Sequence, residues 1–219
     1  TDDYLAKLTV YTKDNKEKYI YYFADYYINN ISINPNGTRA IVSGISAQKG
    51  SLVSAVYILD FSQDAYIAKY ELPDNTIYSV KLFNNGNAVA VGKNESYFFD
   101  IENNEKKVIS YDSKTMTGYD LSTEKGIALS LAKYPDGRAC ELVTISTDGK
   151  TTANISTDIK AESISVANNT VAVSSGDDIY LYSKESGKLL DKKRCEQTIK
   201  KIAAANDGTI YALGATEII

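Results

Sequence analysis

Two acidic residues give this chain its one route to hydrolytic chemistry. Glycoside hydrolysis needs two carboxyl groups about 5–10 Å apart across a single bond. Asp120 and Glu162 are the acids that fall on segments the repeat pattern makes innermost, while the other inner segments offer Lys81, Lys200 and Lys201. Two acids on neighbouring repeats make a thin pair, and the plainer reading is a solvated loop role. A second set suits binding. Tyr27, Tyr78 and Tyr119 stand at the starts of inner segments, where a ring with a polar tip can face a channel or its mouth. With Asp120, Glu162 and Lys200 they form the candidate channel-mouth set; the remaining tyrosines, such as Tyr19, Tyr21, Tyr180 and Tyr182, alternate along strands and read as packing.

Other chemistries are excluded by composition. The 219 residues contain no histidine, so there is no imidazole base, nucleophile system or zinc ligand. Tryptophan, the strongest cation–π platform, is also missing. Cys140 and Cys195 match no metal spacing and read as two half-buried thiols, with a disulfide as the rival. The acidic turns Gly176-Asp177-Asp178 and Asn206-Asp207-Gly208 lack the twelve-residue calcium loop and fit Asx turns. No metal and no cofactor is therefore expected. The balance of 24 basic against 28 acidic residues, net −4, speaks against a nucleic-acid partner. No apolar run is long enough to cross a membrane as a helix.

The elements that would carry these residues recur. A polar turn ending in Gly or Asn leads each time into a β-rich run: Asn34-Pro35-Asn36-Gly37 into Ala40-Ile41-Val42, Asn84-Asn85-Gly86 into Ala88-Val89-Ala90-Val91, Glu124-Lys125-Gly126 into Ile127-Ala128-Leu129, Asn168-Asn169 into Val171-Ala172-Val173, and Asn206-Asp207-Gly208 into Ile210-Tyr211-Ala212. The turns are 49, 40, 43 and 39 residues apart, close to the period of propeller blades. Helical repeats of that length are excluded, because the apolar residues alternate with period 2 and are β-branched or aromatic. A second hairpin follows each of the first four, for example Val56–Asp60 with Tyr66–Tyr70, and Ile179–Tyr182 with Lys188–Leu190. Four strands per unit make an up-and-down blade. The fold class is therefore all-β: a β-propeller of about five four-stranded blades in a single domain over 1–219, with units near 1–25, 26–73, 76–112, 117–156, 160–194 and 197–219.

The ends leave two arrangements open. The hairpin Leu8–Tyr11 with Tyr19–Tyr22 has no inner pair before it, and the fifth inner pair has no outer hairpin after it. Together they could close a five-bladed ring; alternatively both ends are cuts through a larger propeller. The spacing from Val173 to Tyr180, transferred to Ala212, starts a third strand at Ile219 and favours the larger propeller.

The unit from Asn169 to Leu190 resembles a quinoprotein-type or YVTN-type repeat of the WD40-like class, but Asp191 stands where the quinoprotein repeat carries tryptophan, which speaks against quinone binding. The segments 31–37, 80–92 and 217–219 are similar to an uncharacterised family of membrane-anchored propeller proteins from clostridia and their relatives. That resemblance implies an extracytoplasmic propeller on the cell-surface side of a bacterial membrane, held by an upstream anchor absent from this chain. The expected function is non-enzymatic binding or scaffolding with a protein or cell-envelope component as partner. The alternative is a carbohydrate-active hydrolase using Asp120 and Glu162.

Overall fold

The computed structural model describes residues 4–48, 50–167 and 169–214. The third strand expected to begin at Ile219 lies outside the described residues. Those residues contain strands, turns and bends but no helix, and they divide into two compact units, 1–110 and 111–219.

The first unit opens with the hairpin β1 (Ala6–Tyr11) and β2 (Glu17–Phe23). Two four-stranded antiparallel sheets follow. One holds β3 (Tyr27–Ile33), β4 (Arg39–Gln48), β5 (Ser51–Asp60) and β6 (Tyr66–Pro73); the other holds β7 (Ile77–Leu82), β8 (Ala88–Gly92), β9 (Glu95–Asp100) and β10 (Glu105–Ser110). The second unit repeats the plan. Its sheets are β11 (Thr115–Ser122), β12 (Gly126–Ala132), β13 (Cys140–Ile145) and β14 (Thr151–Ser156), then β15 (Ser163–Val166), β16 (Thr170–Ser175), β17 (Asp178–Ser183) and β18 (Leu189–Arg194). A further pair comprises β19 (Lys201–Ala204) and β20 (Ile210–Leu213). Strands neighbouring in sequence are neighbours in each sheet, the up-and-down order of a propeller blade.

Sequence chemistry sets these elements locally. In three sheets the turn between the first two strands closes by a backbone bond from a glycine N–H: Gly37 to Asn34 O at 2.9 Å, Gly86 to Phe83 O at 3.1 Å, Gly208 to Ala205 O at 3.2 Å. Each of these glycines has positive φ, which a side chain would strain. The second strands β4, β8, β12 and β16 are buried on both faces in their centres, which explains their mix of Ala, Ser, Gly and β-branched residues.

Stacking of sheet faces makes the cores. In the first unit Tyr19 and Phe23 of the hairpin pack with Ala40, Val42, Tyr57 and Leu59. Ile41, Val56, Ile58 and Leu72 pack with Val80, Leu82, Ala90, Tyr97 and Phe99. In the second unit Ala128, Leu142, Ala153 and Ile155 meet Ile164, Val171, Val173 and Tyr182. Cys140 and Cys195 are both buried and unpaired, each inside an apolar cluster, so the thiols are more buried than the sequence suggests.

Outer strands carry lysines over aromatic rings. Lys69 on β6 lies 5.0 Å from the Tyr26 ring and 5.7 Å from Tyr57, Lys106 on β10 lies 5.4 Å from Tyr97, and Lys192 on β18 lies 4.9 Å from Tyr180.

Candidate functional site

The first strand of each four-stranded sheet is hydrogen-bonded on one edge and open on the other. Every open-edge N–H needs a partner. Side chains of the preceding first strand supply several. Ser32 Oγ on β3 accepts from Leu82 N on β7 at 3.1 Å. In the second unit, Asp120 Oδ2 on β11 accepts from Val166 N at 3.1 Å, and Ser165 Oγ on β15 accepts from Ala204 N at 3.0 Å. Cross-strand pairing puts these three acceptors at equivalent positions: Ser32 is opposite Ile41, Asp120 opposite Ala128, and Ser165 opposite Ala172. The equivalent residue on β7, Lys81 opposite Val89, carries no acceptor.

Asp120 is thus no solvated loop acid. It sits mid-strand, half-buried, and also takes a 2.8 Å bond from Ser165 Oγ. Ser165 therefore donates to one strand and accepts from another. Glu162 is exposed. Its Oε2 accepts from Gly176 N at 3.0 Å, and its Oε1 lies 3.2 Å from Lys160 Nζ. From Glu162 to Ser165, the partner of Asp120, is three residues, about 10 Å of extended chain.

The three tyrosines do not share one level. A bulge displaces Asn29, Tyr78 and Thr117 at the same register of β3, β7 and β11. Glu162 and Lys200, which donate backbone N–H groups to Ser174 O and Leu213 O, hold the matching place ahead of β15 and β19. Tyr27 lies two residues before this register and Tyr119 two after it. Tyr27 is 62% exposed, Tyr78 is exposed, and Tyr119 is half-buried. Lys200 is exposed and its ammonium has no partner among the described residues. At the bulge register, Asn29 and Asn30 donate to Ile77 O and Tyr78 O at 2.9 and 2.8 Å, so this end too joins first strands together.

A polar cluster that the sequence did not announce lies around Tyr26. Its hydroxyl donates to Glu71 Oε1 at 3.0 Å and accepts from Gln48 Nε2 at 3.1 Å, while Lys69 Nζ pairs with Glu71 at 2.9 Å. Burial works against the charge on Lys69, but Glu71 and the two rings outweigh it and hold the ammonium above its ordinary range. Burial pushes the Tyr57 phenol up to about 12.

The second missed feature is at the opposite end of the first-unit strands from Tyr27 and Tyr78. Arg39, at the start of β4, pairs through Nε with Asp60 Oδ2 at 3.0 Å. It borders two open cavities of about 390 and 370 Å³, lined largely by asparagine turns. The sequence signal was slight: Arg39 is the single arginine before residue 138, at a position held by Asn87, Gly126, Thr170 and Thr209 in the other repeats.

Among the described residues no group of three or more His, Cys, Asp or Glu side chains could hold a metal ion. No helix there is long and apolar enough to cross a membrane.

Comparison with known proteins places this geometry. A model described as a family of unknown function, DUF5711, matches residues 1–218. No curated protein matches the chain in sequence. Among solved structures, the chain is similar to hydrazine synthase from Kuenenia stuttgartiensis, with a TM-score of 0.57 and 16% identity over 97% of this chain and 76% of that one. At that identity the likeness speaks for the fold.

Proposed function

The chain belongs to the DUF5711 family, whose function is unknown, and we propose that it acts there as a non-enzymatic propeller module for binding or scaffolding. One observation carries the reading: the acids of the inner strands are engaged in structural bonds, Asp120 joining its sheet to the next and Glu162 holding the end of β16 within its own sheet. Asp120 holds Ser165 and Val166 N, and Glu162 holds Gly176 N and Lys160. Carboxylates committed in this way hold strands; they are not arranged around an empty reacting centre. Sheets locked together at their inner edges keep their connecting loops in fixed positions, which is what a binding surface requires.

The finer reading is a module of about five blades within a larger propeller, on the outer side of a bacterial membrane, with a protein or cell-envelope component as partner. Its location rests on the resemblance of the repeats and is tested by fractionating cells that express the full gene product.

The rival is a hydrolase using Asp120 and Glu162. The test is turnover of a broad panel of aryl glycosides by the parent chain, Asp120→Asn and Glu162→Gln. We expect no turnover by any of the three. Turnover by the parent that either substitution abolishes would replace the binding reading with the hydrolase.

A further inference from the structure

Arg39 is held in place by a chain of contacts that leaves its reactive end unused. Asp60 Oδ2 accepts from Arg39 Nε, and Asp60 Oδ1 accepts from Ser62 N and Ser62 Oγ at 3.0 and 2.6 Å. These bonds, those from Ser62 first and then Arg39, hold the Asp60 carboxyl below its ordinary range. The Asp60 side chain is 15% exposed and that of Arg39 is 41%. Neither terminal guanidinium nitrogen has a partner among the described residues. A planar fork fixed from behind and open in front is the arrangement that takes a carboxylate through two parallel bonds.

The surroundings narrow the ligand. The larger cavity is lined beside Arg39 by the carboxamides of Asn34, Asn36 and Asn84 and by the Thr38 hydroxyl. Asn36 Oδ1 accepts from Thr38 Oγ1 at 2.9 Å, which leaves its amide hydrogens without a partner among the described residues. The adjoining cavity shares Arg39 and adds Ile67, Ile101 and Glu102. Among the described residues Arg39 is the one cation lining either cavity, against Asp60 and Glu102, so the lining repels any anion and a phosphate or sulfate dianion more than a single carboxylate, whose affinity must come from the two parallel bonds of the fork. Among the described residues no aromatic ring lines either cavity, so a flat apolar ligand finds no platform there. Asn34 and Thr38 bond each other and the turn backbone and so fix the rim, while the amide hydrogens of Asn36 and the carboxamide of Asn84 remain to donate to and accept from ligand hydroxyls.

We infer that this end of the first unit is a subsite for an acidic saccharide, with the carboxylate of a uronic acid on the Arg39 fork and its hydroxyls on the asparagine turns. The inference rests on the binding-module reading above and gives it a ligand class.

The test is titration of the full chain with methyl galacturonoside, which carries one carboxylate, followed by calorimetry and by backbone amide shifts, with neutral methyl galactoside and inorganic phosphate as comparators. Saturable binding of the acidic sugar is expected, with shifts grouped at residues 34–39, 60–62 and 84–87. The neutral sugar should bind at least about tenfold more weakly. Arg39→Lys keeps the charge, loses the fork, and should weaken the acidic sugar by at least about tenfold. Asn84→Ala, at an exposed turn, should weaken it less and leave folding intact. No saturation by about 10 mM, shifts grouped elsewhere, equal affinity in Arg39→Lys, or tighter binding of phosphate would each overturn the inference. None of these outcomes touches the hydrolysis test on Asp120 and Glu162, so the subsite and the binding-module reading can fail separately.

Discussion

The two units build the same sheets from different materials. All five phenylalanines and twelve of the eighteen tyrosines lie in residues 1–110. Rings there pack on one another, as in Phe23 on Tyr57 at 5.1 Å and Tyr70 on Phe99 at 4.9 Å. The second unit fills its clusters mostly with Ala, Val, Ile, Leu and Cys, with Tyr182 as the buried ring among them, and its inner strands carry the relay from Ala204 N through Ser165 to Asp120. Strand order and turn geometry are thus compatible with either an aromatic or a small-residue interior. The blade plan is specified by alternation and turns, and the filling is left free within a volume limit.

This contrast can be broken experimentally. The largest effect should come from deleting residues 1–24. That removes Tyr19, Phe23 and their neighbours from the face of the β3–β6 sheet and bares Tyr57 and Leu59. We expect the first unit to lose its cooperative thermal transition while a transition from the second persists. Retention of amide-exchange protection at Ala40 and Val42 in the truncated chain would show that the aromatic interior is not needed there. Next, Phe99→Ala should cost about 3–5 kcal/mol in denaturant unfolding, since the ring is fully buried against Tyr70.

Alkali should separate the units more finely. Burial pushes Tyr57 up to about 12 from an ordinary 10 against the opposing pull of Lys69, and burial, aided by the bond to Glu95, does the same for Tyr97. A phenol whose pKa is higher folded than unfolded stabilises the fold fully below pH 10 and loses that contribution as pH rises toward about 12. Each accounts for about 3 kcal/mol at most, so the first unit should unfold first in an alkaline titration followed by circular dichroism. Tyr57→Phe should flatten that dependence; an unchanged profile would detach it from this ring.

The smallest effects test the polar relay. Ser165→Ala strips Asp120 of a donor and leaves Ala204 N without its acceptor, for a cost of about 1–3 kcal/mol. Ser32→Ala in the first unit breaks one neutral bond and should cost about 0.5–1.5 kcal/mol. Equal losses at the two serines would remove the distinction between the units' inner strands.

Strands and turns were legible in the sequence because alternation and Asn-Gly turns are local signals. β20, Ile210–Leu213, runs between the residues that alternation predicts, and β4 and β5 extend their predicted cores by a few positions. The candidate sites were less legible because they depend on register. A bulge at Tyr78 is fixed by pairing with β8 and leaves no mark in residues 77–79 themselves. Asp120 reads as an isolated acid until Ser165, 45 residues later, is brought against it. Arg39 and Asp60 are direct cross-strand partners 21 residues apart, and only the hairpin makes them one group.

The lysines laid over tyrosine rings bear on how copies of this protein meet one another. An outermost strand offers unpaired backbone groups to any neighbouring sheet, and lysine on such a strand is a common deterrent to that pairing. Lys69, Lys106 and Lys192 each cover a ring and keep a charge at the rim. On β18, which is exposed along its whole length, Lys192 is followed by Lys193 and Arg194. Acylation of these amines would remove the repulsion between rims and uncover the rings together.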